Sequence, residues 1–124
     1  MERFICITNN PMVAAKKMSN VKLHFFPFDN YFEILKKVRG EVHEGYELAT
    51  HPLTSSLKPN ETPYRTVLLF EKQGDLHVNS LELIEAAISL TEKFHKDEPT
   101  KMWSDKILQD FQLIDYEMVK QWLT

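Results

Sequence analysis

Two short stretches gather the residue types that could hold a ligand. Asn9-Asn10-Pro11 follows an apolar run, and Thr50 to Tyr64 collects hydroxyls, one histidine and one lysine among three prolines. Backbone donors, hydroxyls and a cation in a concave setting are what a carboxylate or phosphate needs. The candidate ligand-binding set is therefore Asn9, Asn10, Thr50, His51, Ser55, Ser56, Lys58, Asn60, Glu61, Thr62 and Tyr64. His51 is also a candidate general acid or base, although no nucleophile stands at a spacing that pairs with it. The competing explanation is a proline-stiffened loop whose Ser, Thr and Asn side chains satisfy its own backbone.

Other chemistry finds less support. Glu41, His43 and Glu44 suggest metal ligands, but positions two apart on a helix do not face one another and no His-x-x-x-His pair is present. Cys6 is the only cysteine, set in an apolar strand where an inert, buried thiol is expected, so there is no internal disulfide. The phosphate-loop, dinucleotide and serine-hydrolase signatures are missing. The reading names no cofactor and no metal.

The elements that must position these residues follow from periodicity. Phe4 to Thr8 reads as a central strand buried on both faces, and Asn10 with Pro11 as the cap and first residue of a helix reaching about Met18. Val21 to Phe26 is a second strand. Asn30 with Glu33 has capping-box spacing ahead of a helical stripe of Tyr31, Ile34, Leu35, Val38 and Val42, ended by Gly45. Tyr46 to Ala49 is expected as a third short strand, Arg65 to Glu71 as a strong one and Leu76 to Val78 as a brief returning one. Asn79 and Glu82 open a further amphipathic helix from Leu81 to Phe94, and the tail fits two short helices capped by Ser104 and Asp115. Alternating strands and helices predict an α/β fold: a mainly parallel sheet of about four to five strands, helices on both faces and a helical C-terminal tail. In such sheets ligands bind beyond the carboxyl ends of the strands, the edge to which both candidate stretches are assigned.

At 124 residues, with 43% hydrophobic content, one domain spanning 1–124 is expected. The apolar tail, 100–124, is expected to pack on that domain or on a partner. A net charge of −3 provides no basic field for nucleic acid, and no apolar run is long enough for a membrane span. With no secretory signal at the start, the expected location is cytoplasmic.

Thr8-Asn9-Asn10-Pro11, His51-Pro52-Leu53 and Lys58-Pro59-Asn60-Glu61-Thr62-Pro63-Tyr64 resemble the GrdX family, and the likeness extends to Asp110-Phe111-Gln112-Leu113-Ile114-Asp115. The resemblance implies a small protein associated with the glycine, sarcosine or betaine reductase machinery of amino-acid-fermenting anaerobes. It assigns neither an activity nor catalytic residues. Ser55 stands where the family often has glycine, and Tyr46 where it often has a second histidine. The expected function is an accessory protein that binds a small carboxylate or phosphate at the loop after the third strand; the alternatives are an assembly protein contacting a reductase subunit and a small enzyme using His51 as acid or base, with the balance against an enzyme. Self-association as a homodimer is compatible with each.

Overall fold

The computed structural model describes residues 2–27, 29–53, 57–97 and 102–124. Its centre is strand β1 (Phe4–Thr8), flanked by β2 (Val21–Phe25) and β3 (Thr66–Phe70) in the order β2-β1-β3. All five residues of β1 are buried, as a central strand covered on both faces requires. β1 pairs with β2 in parallel, but β3 runs antiparallel to β1, with Thr8 opposite Thr66 and Phe4 opposite Phe70.

The expected sheet of four to five mainly parallel strands is therefore wrong: three strands form a mixed sheet. The reason lies in how the chain reaches β3. Helix α2 (Tyr31–His43) returns the chain to the start of β1, and residues 46–50 then run back along the outer edge of β3. The long loop brings the chain to the carboxyl end of β1, so β3 must descend from there.

The expected third strand at Tyr46–Ala49 is reduced to one bridge, Leu48 to Leu69. The Phe70 N–H donates to the Glu47 carbonyl and the Ala49 N–H to that of Leu68, but the Leu68 N–H, which a continuous ladder would have used, donates to Thr50 Oγ1 at 3.0 Å. On the outer edge the Leu48 N–H donates to Ser80 Oγ at 3.0 Å. Nor does Leu76 to Val78 form a strand, because Val78 already begins helix α3 (Val78–Asp97). His77, rather than Asn79, caps that helix: its Nδ1 accepts from the Ser80 N–H and its carbonyl from the Leu81 N–H.

Helices cover both faces of the sheet. Ile5, Ile7, Val67 and Leu69 pack against Ile34, Leu35, Val38 and Val42 of α2 and Ile84, Ala87 and Ile88 of α3. On the other face, Phe4, Cys6 and Leu68 meet Val13 of helix α1 (Pro11–Ala14) and Val119 of helix α4 (Asp105–Val119). The first helix is one turn, ending four residues before Met18. α2 opens on the Asn30 cap, whose side chain accepts from the Glu33 N–H at 2.9 Å. It closes on Gly45 at φ 100°, with the Tyr46 N–H donating to the Glu41 carbonyl and the Gly45 N–H to that of Val42.

The tail is not two helices. Ser104 caps α4 as expected, but Asp115 lies inside it, buried, and a 3₁₀ turn at Lys120–Trp122 follows. Asp115 lacks the role of a cap because Leu108, Gln112, Asp115 and Val119 form one stripe turned to the sheet. The end of the chain is tied back, with Asn20 Nδ2 donating to the Trp122 carbonyl and the Trp122 ring edge-on to Phe4. Among the described residues no helix is long and apolar enough to cross a membrane.

Candidate functional site

The carboxyl end of β1 carries Thr8, Asn9 and Asn10, all buried. Because β3 is antiparallel, its first residue, Thr66, and the preceding Arg65 stand at this same end. Asn9 Oδ1 accepts the Arg65 N–H at 2.9 Å, and Asn9 Nδ2 donates to the carbonyls of Asp29 and Pro63, each at 2.7 Å. Asn10 Oδ1 accepts the Met12 N–H at 3.0 Å, capping α1, while its Nδ2 reaches the Gln112 carbonyl and Asp115 Oδ2, both at 2.9 Å.

Arg65 and Asp115 are 4% and 6% exposed, respectively, unusual burial for charged groups. The Arg65 guanidinium lies 3.7 Å from Asp115 Oδ1 through Nη1, while Nε and Nη2 donate to the carbonyls of Pro52 and His51. Asp115 also accepts from the Thr66 N–H at 3.0 Å and the Thr66 hydroxyl at 2.6 Å. Thr66 Oγ1 in turn lies 2.7 Å from Thr8 Oγ1, which accepts the Asn10 N–H. A buried carboxylate is tolerable only with such compensation. Beneath this cluster, burial first and the Asp115 charge second push the Cys6 thiol up to about 12. Cys6 is therefore a thiol at neutral pH, not a nucleophile.

The long loop is fastened at both ends to this cluster, at 51–52 through Arg65 and at 63 through Asn9. Within it, most polar groups serve the chain itself. Thr50 Oγ1 accepts from Leu68, Thr62 Oγ1 from the Tyr64 N–H at 3.2 Å, Glu61 Oε1 from the Lys58 N–H at 3.2 Å and His51 Nδ1 from the Leu53 N–H at 3.0 Å. Tyr64 OH accepts from Gln112 Nε2 of α4 at 2.9 Å. Lys58 is exposed, with Nζ 5.8 Å from the Phe94 ring centroid, and Asn60 is buried beside Tyr31 and His95. Ser55 and Ser56 lie outside the described residues. Asn9 and Asn10 thus meet the loop at its backbone. Among the described residues, no hydrogen bond links their side chains to those of His51, Lys58 or Thr62.

Two small cavities border the loop. One, of about 10 Å³, lies between Leu57, Tyr64 and Arg65 on one side and Phe111, Ile114, Asp115 and Met118 on the other. The second, of about 20 Å³, is lined by Asn30, Tyr31, Asn60, Thr62, His95 and Trp103. Each has room for about one water molecule at most. A wider groove of about 340 Å³ lies at the opposite end of the sheet, over Glu2, Arg3, Phe70, Glu71 and Lys72. It is open and crossed by the Arg3–Glu71 ion pair, so it resembles ordinary surface.

Beside the first cavity α4 turns a second stripe outward. Ile107, Phe111, Ile114 and Met118 recur at spacings of four, three and four, and Ile107, Ile114 and Met118 remain 43%, 37% and 39% exposed. Phe111 is braced edge-on by Trp103, with ring centroids 5.6 Å apart. The more apolar of the two stripes is the one not packed on the sheet.

A protein-family model described as GrdX-like protein matches residues 5–124. The chain belongs to the GrdX-like protein family. Comparison with curated proteins and with solved structures found no match. Within this GrdX-like chain, the residues that the sequence reading passed over are Thr8, Arg65, Thr66 and Asp115. Arg65 was hidden at the head of a strand and Asp115 behind a capping role. The signal that could have found them is a charged residue at a buried position of each element: Asp115 shares a helical face with Leu108 and Val119, and Arg65 adjoins an apolar strand.

Proposed function

We propose that this chain is an accessory protein of the glycine, sarcosine or betaine reductase machinery that acts by docking on one of its protein components. The family membership supports the context, and the outward stripe of α4 supports the mode of action. Exposed Ile107, Ile114 and Met118 around a braced Phe111 form an apolar surface with a rigid aromatic at its centre, the composition of an interface anchor. The long loop, tied to α4 by Tyr64 and Gln112, forms the other wall of that surface.

Binding of the full chain to purified reductase components, measured by titration calorimetry, tests this reading. The paired substitution Ile107→Ser and Ile114→Ser should weaken binding at least tenfold, about 1.4 kcal/mol. Thermal stability should fall much less than for a core substitution, as both side chains are partly exposed. Equal affinity for the substituted chain, or no component that binds the unsubstituted one, overturns the reading.

Binding of a small carboxylate or phosphate at the loop is the second reading, supported by the exposure of Lys58 and His51 on a loop held rigid at both ends. If Lys58 pairs with the anion, Lys58→Ala should weaken acetate or phosphate binding by about 1.5–3 kcal/mol. Unchanged affinity removes Lys58 from the site. Acid–base catalysis by His51 has less support, because its Nδ1 is engaged by the Leu53 N–H.

A further inference from the structure

The hydrogen bonds around Asp115 have a direction. The Asn10 N–H donates to Thr8 Oγ1 at 2.9 Å, and Thr8 Oγ1 and Thr66 Oγ1 lie 2.7 Å apart. Because the Thr66 hydroxyl donates to Asp115 Oδ2, the Thr8 hydroxyl must donate to Thr66. Every proton in this relay therefore points toward the carboxylate. Such chains polarise along their length and strengthen the last bond.

The donors also sort by origin. Thr8 ends β1 and Asn10 follows it, and Thr66 opens β3 with Arg65 just before it; Asn10, Arg65 and Thr66 also have partners outside α4. Met12 fixes Asn10, the carbonyls of His51 and Pro52 fix Arg65, and the β1–β3 pairing fixes Thr66. From α4 come the carboxylate and the Gln112 carbonyl, which also accepts from Asn10 Nδ2 at 2.9 Å. The Thr66 N–H donates to Oδ1, and the Thr66 hydroxyl and Asn10 Nδ2 donate to Oδ2, while Arg65 Nη1 is an ion-pair contact 3.7 Å from Oδ1. That is a pattern for the two oxygens of a planar carboxylate. A phosphate would direct a further oxygen to where the Asp115 Cβ enters, whereas the donors of this cluster are accounted for by the two carboxylate oxygens.

We propose that this cradle is a carboxylate-binding site whose resting occupant is the chain's own Asp115, so that a small external monocarboxylate competes with α4 for it. The site lies at the end of β1, uses neither the Lys58 nor the His51 side chain, and does not depend on the docking reading.

Formate is the probe, since it replaces the group that Asp115→Ala removes. In the full-length Asp115→Ala chain, formate should raise the melting temperature saturably, by several degrees. Chloride and phosphate at equal ionic strength should not, and Asn10→Ala in the same background should abolish the formate-specific rise. Should the alanine variant not refold, Asp115→Ser is measured in the same way. In the unsubstituted chain, formate should speed amide exchange across 105–119 relative to chloride, as α4 is displaced. A formate effect no larger than that of chloride in the substituted chain overturns the site. Unaltered exchange across 105–119 overturns the competition.

Discussion

Arg65→Met should destabilise the protein by about 3–5 kcal/mol, the range for removing one partner of a buried ion pair. The guanidinium is 4% exposed and ties together three parts of the chain: Asp115 of α4 and the carbonyls of His51 and Pro52. Methionine fills much of the volume but leaves both carbonyls without their donor, each a loss of about 1–3 kcal/mol where it stays buried. Asp115 retains Asn10 and Thr66, which keeps the total from rising further. Denaturant unfolding gives the loss, and amide exchange should show it concentrated in residues 51–53 and 57–64. A loss below about 1 kcal/mol would mean that Arg65 does not fasten the loop.

The two glycines at the far end of the sheet should respond in opposite ways. Gly45→Ala should cost about 3 kcal/mol or more, since the residue sits at φ 100° and an added Cβ would lie 2.0 Å from the Gly74 carbonyl oxygen. The Gly74 N–H donates to the Gly45 carbonyl at 3.0 Å, so the two backbones cannot separate without breaking that bond. A Cβ on Gly74 would meet nothing within 4 Å, and Gly74→Ala should stay within about 0.5 kcal/mol of the unsubstituted chain. Equal effects of the two substitutions, by thermal or denaturant unfolding, would refute the close approach. The stability of this turn also reaches the loop, because Gly45 starts the segment whose Thr50 receives the Leu68 N–H.

These contacts show why an Asp at 115 and an Arg at 65 are hard to read from a single chain. Each sits where local rules offer a plainer role, a helix cap for one and a strand end for the other. Their partnership spans about 50 residues of sequence and depends on β3 running antiparallel. The antiparallel direction in turn rests on residues 46–50 running back along the edge of β3, so that the loop delivers the chain to the carboxyl end of β1. With β3 parallel to β1, Arg65 would stand at the opposite end of the sheet from Asn9 and Asn10.

Local chemistry by itself determined the parts whose causes are local. The apolar run Phe4–Thr8, the Asn30 cap, the left-handed Gly45 and the buried stripe of α2 follow from side-chain period and backbone preference. Family membership was legible too, because the motifs of the loop survive as contiguous letters. The tertiary structure alone decided strand direction, which stripe of α4 faces the sheet, and the use of the His51, Glu61 and Thr62 side chains on the loop's own backbone. It also joined Thr8, Asn10, Arg65, Thr66 and Asp115 into one cluster. These outcomes depend on which distant groups compete for the same donor or the same apolar face, and that competition is settled only when the elements pack.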